Sequence, residues 1–307
     1  DQEGPLEPRL RPEWQGFGLN VGGCGYGGPP SYFEPYRIPT ITPRRDGDYL
    51  PERLADEVIQ FVKSHRDERF FVCWWPYSVH YPIQAPQQLI DKYKERGNAK
   101  RPEYLAMIEG MDSAIGRVLQ TLDEMKLSDD TLLIFTSDNG SLFENSPLRE
   151  NKGYLYEGGI RVPWIVRWPG KVSPGTTCSV PVVSMDIYPT ILQAVGLKNT
   201  HDETVDGLSL LPLLSQSGSL DRDALYFHYP NYAFHKRNRL GSAIRVGKHK
   251  LIHYYDDDSV ELFDLDEDLG ESRDLTKEQP DLAAKLKAKL DTWLHKVGAE
   301  FPTRAVE

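Results

Sequence analysis

Apolar residues recur every three or four positions in four long stretches of the chain, the spacing that places them on one face of a helix. The first stretch begins at Pro51, a residue that suits the opening turn of a helix. The others cover residues 102–126, 184–195 and 280–297. The pattern therefore predicts four amphipathic helices, each with one face available for packing.

Short, continuous apolar runs lie between the first three of these helices. They cover residues 70–75, 131–136 and 162–166. A continuous apolar run is typical of a strand that is buried on both faces, as in a parallel sheet covered by helices. The alternation of helix and strand predicts an α/β fold with a mostly parallel sheet sandwiched by helices.

The pattern differs at the two ends of the chain. The first 50 residues are rich in Gly and Pro without sustained periodicity, which predicts an ordered loop. Beyond residue 218, short apolar segments are separated only by turn residues, which is typical of an antiparallel meander. We therefore predict two domains, residues 1–217 and a small α+β domain over residues 218–307, which ends in the last helix. The boundary falls near the Ser- and Gly-rich residues 215–222.

Composition narrows the possible partners. The 307 residues carry 36 Lys and Arg against 46 Asp and Glu, a net charge of −10, and no apolar stretch is long enough to span a bilayer. Nucleic acid and anionic membrane surfaces are therefore poor partners. The three cysteines show no CxxC spacing, so they define neither a disulfide framework nor a zinc site.

Polar residues follow two of the predicted strands, where ligands bind in open α/β sheets. His80 follows the run that ends at residue 75, and Asp138 and Asn139 follow the run that ends at residue 136. A carboxylate beside an amide oxygen suits a hard cation such as Ca²⁺ or Mg²⁺, although Asp-Asn-Gly also forms ordinary turns. Lys152 could reach an anionic group as a point charge or could be a solvated lysine.

The order of the motifs along the chain identifies a resemblance that covers nearly all of it. The motifs are His80-x-Pro82-x-x-x-Pro86, Ser137-Asp138-Asn139-Gly140, Lys152-Gly153, Glu157-Gly158-Gly159-x-Arg161-Val162-Pro163, Asp206-Gly207-x-Ser209-Leu210, Lys250-Leu251-Ile252 and Glu261-Leu262-Phe263-Asp264-Leu265. This series resembles the sulfatase family of the alkaline phosphatase superfamily, particularly the bacterial carbohydrate and aryl sulfatases. Residues 1–217 would then be the C-terminal part of the catalytic α/β domain.

The resemblance implies a role for each candidate residue. Asp138 and Asn139 would be two ligands of a divalent cation, usually calcium, while Lys152 and His80 would contact the sulfate oxygens. His80 would also be a candidate acid for the leaving oxygen. These roles agree with the chemistry, because a cation, an ammonium and an imidazole can stabilise the charge that develops during sulfate ester hydrolysis. The implied substrate is a sulfated carbohydrate or an aryl sulfate, and the implied location is periplasmic or secreted.

The nucleophile of the family is not among these residues. It is a formylglycine made from Cys or Ser in a Cys/Ser-x-Pro/Ala-x-Arg motif, and Cys24, Cys73 and Cys178 all lack that context. We therefore expect the chain to be the C-terminal portion of a sulfatase, with the nucleophile upstream. Two oxygen ligands are fewer than the ~6–8 of a calcium site, so the chain alone is predicted to bind metal weakly and to be inactive.

Residues 226–237 combine aromatic rings with His, Lys and Arg, a composition that suits a sulfated glycan or an aromatic domain interface. His228 is the predicted substrate contact. One alternative function is a phosphate mono- or diester hydrolase of the same superfamily, although such relatives typically have Asp-His-Gly where this chain has Asp138-Asn139-Gly140. The other is a glycan-binding pseudoenzyme without a nucleophile.

Overall fold

The computed structural model describes residues 10–25, 27–97, 100–198, 205–231 and 238–303. The chain forms two compact units, Asp1–Thr131 and Leu132–Glu307. The predicted domain boundary near residues 215–222 lies within the second unit and remains a prediction. The part of the chain that the structure describes contains no candidate membrane-spanning helix.

The first unit packs three helices against an irregular N-terminal segment. The helices are α1 (Leu50–Ser64), α2 (Gln87–Glu95) and α3 (Pro102–Glu124), with short 3-10 turns at Pro12–Gln15 and Ser128–Asp130. The predicted helices from Pro51 and over residues 102–126 are confirmed, whereas α2 was not predicted, because its nine residues bury only Ile90.

Aromatic residues form the core of the first unit and order the N-terminal loop. Tyr32 and Tyr36 are fully or almost fully buried and pack with Leu50 and Met107 of the helices. The Tyr32 hydroxyl donates to the backbone oxygens of Tyr77 (2.5 Å) and His80 (3.1 Å). Burial raises the pKa of this hydroxyl, so it remains a neutral donor. The prediction of an ordered loop is confirmed for its described part, residues 10–25 and 27–49.

The strand predicted over residues 70–75 is not formed. The segment lies outside the strands of the structure, and no strand among the described residues pairs with it. Its side chains alternate instead: Trp74 packs against the core, whereas Phe71 is 56% exposed and Trp75 is 79% exposed. The prediction of burial on both faces was wrong, because apolar residues cannot form a ladder without a neighbouring strand.

The second unit begins with β1 (Leu133–Thr136), which pairs with β2 (Trp164–Arg167). The pair is antiparallel, with Leu133 opposite Arg167. Among the described residues every ladder is antiparallel, so the predicted parallel pairing is corrected. A short apolar run indicates a buried strand, but the direction of its neighbour depends on the chain path between them.

The short helix α4 (Glu157–Ile160) precedes β2, and further short helices lie between β2 and the C-terminal sheet. A 3-10 turn at Ser184–Asp186 leads into α5 (Ile187–Ala194), as predicted, and α6 (Leu211–Leu214) follows. Asp186 is fully buried, and its carboxylate connects three segments of the polypeptide. Its carboxylate accepts the backbone N–H groups of Val183 (3.0 Å) and Leu208 (2.8 Å) and both terminal nitrogens of Arg222.

The C-terminal region is a four-stranded antiparallel meander with a helix on one face, as predicted. Its strands, in spatial and chain order, are β3 (Leu225–Tyr229), β4 (Gly241–Val246), β5 (His249–Tyr254) and β6 (Val260–Asp264). The last helix, α7 (Pro280–Lys296), packs Leu286, Leu290 and Leu294 against one face. The other face packs against Leu155 and Tyr156.

Candidate active site

The turn after β1 carries both predicted metal ligands. Asp138 is exposed and Asn139 is partly buried. The Asn139 amide nitrogen donates to Asp138 Oδ2 (2.6 Å), and the Ser137 hydroxyl donates to the Asn139 backbone oxygen (3.0 Å). An amide that donates through nitrogen retains its oxygen as an acceptor, so the turn presents carboxylate and amide oxygens side by side.

Three glycines allow this turn to pack closely against the backbone of α4 (Glu157–Ile160). We call Gly140, Gly158 and Gly159 the glycine junction. The Gly140 amide donates to the Gly159 oxygen (2.9 Å), and a Cβ on Gly140 would lie 1.9 Å from the Gly158 oxygen. A Cβ on Gly158 or Gly159 would lie 2.1 Å from the backbone oxygen of Glu150 or Tyr154. Only glycine permits this backbone packing.

The loop that contains Lys152 also packs against the glycine junction. The Lys152 amide donates to the backbone oxygen of Ser141 (2.8 Å), and the loop that contains Lys152 packs on Gly158 and Gly159 through its own backbone. The Lys152 side chain is partly buried. The structure therefore brings Asp138, Asn139 and Lys152 onto two loops that share one backbone junction.

His80 belongs to the first unit. Its Nδ1 lies 3.2 Å from the Tyr81 backbone oxygen, and its ring is partly buried. A Cβ on Gly28 would lie 2.5 Å from His80 Nδ1, so the glycine-rich N-terminal loop passes directly beside the imidazole. The absence of a side chain at Gly28 thus gives the ring room next to the backbone.

His228 lies on β3 and is held on both sides by protein groups. Its Nδ1 lies 2.8 Å from Ser242 Oγ and 2.9 Å from the Tyr255 hydroxyl, and its Nε2 lies 2.8 Å from the Glu300 backbone oxygen. Phe301 packs edge-on against the ring. A substrate contact would require one of these partners to move, and the role of His228 stays a prediction. Residues 232–237 of the same aromatic segment lie outside the described residues.

A buried ion group beneath the junction was not predicted. Lys250 of β5 is fully buried, with Nζ 3.0 Å from Glu157 Oε1 and 2.8 Å from Glu271 Oε1. Burial alone would raise the pKa of Glu157, but Lys250, Arg161 and Arg245 outweigh it and lower that pKa. For Glu271 burial dominates and raises the pKa despite Lys250. The family motifs contain Glu157 and Lys250, but no local pattern pairs residues 93 positions apart.

The oxygen atoms at the turn are of the type that binds calcium. Asp138 and Asn139 supply the hard oxygen atoms that Ca²⁺ prefers, at a chain turn that is open to solvent. Among the described residues, no group of three or more His, Cys, Asp or Glu side chains could hold a metal ion. The turn therefore fits part of a calcium site, and further ligands are needed to complete it.

Comparison with solved structures defines the class of the fold. The chain superposes on the crystal structure of Ps i-CgsB in complex with k-i-k-neocarrahexaose with a TM-score of 0.80 and 26% identity, covering 94% of this chain and 68% of that one. It also matches BT4656 in complex with its substrate D-glucosamine-2-N,6-O-disulfate, with a TM-score of 0.57 and 27% identity, over 72% of this chain and 47% of that one. The fold is thus the α/β fold of the alkaline phosphatase-like superfamily, as predicted.

Sequence comparison then gives the family. The sulfatase family model matches residues 16–197, and the model for the C-terminal region of N-sulphoglucosamine sulphohydrolase matches residues 150–297. A sulfatase from Formosa agariphila is 34% identical over 283 residues, which cover 82% of this chain and 51% of that protein. The chain belongs to the sulfatase family, and it spans about half the length of the curated relatives it matches.

Proposed function

We propose that the protein hydrolyses sulfate esters of a sulfated carbohydrate. The observation that carries this proposal is the glycine junction, which holds Asp138, Asn139 and Lys152 on adjoining loops. Similarity to BT4656, whose structure contains a sulfated glucosamine as its substrate, supports the substrate class. An aryl sulfate is the alternative substrate in this proposal. On the same resemblance we also propose a periplasmic or secreted location.

Asp138 and Asn139 would supply two oxygen ligands to Ca²⁺. The bound cation would neutralise charge on the sulfate oxygens. The junction fixes both ligands through the backbone, so their positions require little rearrangement on binding. Lys152 would add a fixed ammonium that contacts a sulfate oxygen as a point charge.

His80 would donate from its imidazole to a sulfate oxygen and could transfer a proton to the leaving oxygen. The Tyr32 hydroxyl holds the His80 backbone, and Gly28 leaves room for the ring. The nucleophile would be a formylglycine upstream of these residues, because none of the three cysteines lies in the required motif. By this proposal the chain alone is inactive.

The test starts with the intact mass and N-terminal sequence of the natural protein, followed by sulfate release from sulfated oligosaccharides with and without EDTA. We expect a Cys or Ser motif upstream, and loss of sulfate release with EDTA, in Asp138→Ala and in Lys152→Ala. The exposed Lys171 provides a matched control, and Lys171→Ala should retain activity.

Two results would contradict the proposal. Release of phosphate from phosphate esters, without release of sulfate, would identify a phosphoester hydrolase. If Asp1 is the true start and no second chain supplies a nucleophile, hydrolysis is excluded, and binding of the intact sulfated oligosaccharide would identify a glycan-binding pseudoenzyme.

A further inference from the structure

The C-terminal sheet contacts the loops of the candidate site through buried polar groups. Lys250 bridges Glu157, the first residue of α4, and Glu271, which follows β6. Glu271 Oε2 also accepts the Glu157 backbone N–H (2.6 Å). Both the side chain and the backbone of Glu157 are therefore fixed from the sheet, directly before the two glycines of the junction.

A second set of contacts holds the chain that precedes Glu157. The Tyr156 hydroxyl donates to Glu261 Oε2 of β6 (2.5 Å). The Arg149 guanidinium lies over the Tyr156 ring, 3.9 Å from its centroid, and its Nη1 donates to the Glu271 backbone oxygen (2.8 Å). The segment between residues 149 and 157 is thus attached to the sheet at both of its ends.

This attached segment carries one part of the candidate active site. It contains Lys152, and its backbone oxygens pack against Gly158 and Gly159, while Gly158 in turn packs against Gly140. We propose that Lys250, Glu261 and Glu271 are positioning residues for the candidate active site. They act through Glu157 and Tyr156, and they set the relative placement of Lys152 and the Asp138–Asn139 turn. The catalytic consequence rests on the proposed function, but the positioning itself does not.

An ion group suits this role better than apolar packing would. A buried ammonium between two carboxylates is favourable only in a narrow geometry, because each displaced charge would lose its partner inside the protein. The Arg161 guanidinium contacts the second oxygen of Glu157 (3.0 Å), so both carboxylate oxygens have a directional partner. The arrangement therefore specifies the orientation of the first turn of α4 as well as its burial.

The test compares Lys250→Met with Lys248→Met. Lys250 lies on β5, whereas Lys248 lies in the turn directly before that strand, where its side chain is half exposed and pairs with Asp264. Hydrogen exchange is measured at the Gly140 and Lys152 amides, which report the two loops, and at the Ile252 amide, which lies in the sheet ladder. Exchange reports local and global opening separately.

We expect Lys250→Met to accelerate exchange at Gly140 and Lys152 at least about ten-fold more than at Ile252, since local opening precedes global unfolding. Tyr156→Phe removes only the hydroxyl that donates to Glu261, so we expect the same selectivity on a smaller scale, and this milder variant tests the proposal if Lys250→Met does not fold. Equal acceleration of all three amides would overturn the proposal, because a purely structural role loosens the whole unit.

A second readout links the positioning to the metal. In the full-length natural protein, where the remaining ligands are present, we expect calcium titration to show about 10- to 100-fold weaker binding in Lys250→Met, the usual effect of losing a group that orients a ligand. Lys248→Met should bind calcium like the parent. Selective exchange without any sulfate release would refute the proposed function alone, whereas sulfate release with uniform exchange would refute only the positioning role.

Discussion

The buried pair of Asp186 and Arg222 gives a sharp test of what holds the second unit together. Asp186 is fully buried, and each of its two carboxylate oxygens accepts one backbone N–H and one guanidinium nitrogen. The Arg222 side chain is only 12% exposed. Arg222→Met preserves most of the side-chain volume but removes the charge, so it leaves an uncompensated carboxylate in the interior.

The expected loss is large. Breaking a buried pair by removing one partner costs about 3–5 kcal/mol, against a total unfolding free energy of about 5–15 kcal/mol for a typical domain. Asp186→Asn should also destabilise, because an amide oxygen can replace one acceptor but the amide nitrogen cannot accept a backbone N–H. Leaving that N–H unpaired costs about 1–3 kcal/mol in addition to the lost ion pair.

The assay is urea unfolding of the purified chain, followed by tryptophan fluorescence at low and high salt. Arg273→Met is the matched control, because Arg273 pairs with Glu278 on the surface, where the two side chains are 67% and 53% exposed. That change should cost about 0–1 kcal/mol and should lose its effect in high salt. A loss below about 1 kcal/mol for Arg222→Met, or one that salt removes, would refute the reasoning.

The remaining predictions concern the junction and the ion group beneath it. Gly140→Ala should prevent stable folding of the second unit, because its Cβ would lie 1.9 Å from a backbone oxygen, whereas Gly116→Ala on the exposed face of α3 should stabilise the chain by about 0.5–1 kcal/mol. Thermal unfolding of both variants checks this, and a normal transition for Gly140→Ala would contradict it. Lys250→Met should lose more stability at pH 8 than at pH 5, as measured by urea unfolding at both values. Burial already raises the folded-state pKa of Glu271, and loss of the ammonium raises it further, so the penalty grows as pH rises above the unfolded value of about 4.3. An equal loss at both pH values would show that Glu271 is not the group left unpaired.

Parts of the fold could be read from local sequence. The helices from Pro51 and over residues 102–126 follow from apolar spacing, as do the meander and its final helix, because residues three, four or two positions apart share a face whatever the rest of the chain does. The order of the motifs identified the sulfatase family, whereas the roles of Asp138, Asn139 and Lys152 that it implies remain predictions.

Tertiary structure decided the pairings. The run over residues 70–75 has the composition of a buried strand but no partner among the described residues, and β2 runs antiparallel to β1. Hydrophobic composition measures the tendency to leave water, which has no direction, whereas a strand ladder requires a particular neighbour.

The sequence by itself determined which residue types are present for the proposed sulfate chemistry, and the tertiary structure decided how they are held. Glycine is required at positions 140, 158 and 159 because backbone segments that are distant in sequence pack there without room for a Cβ. Likewise, Lys250 in an apolar strand is stable only because Glu157 and Glu271 reach it from distant parts of the chain. A buried charge depends on partners that folding brings together, and no spacing along the chain encodes their distance.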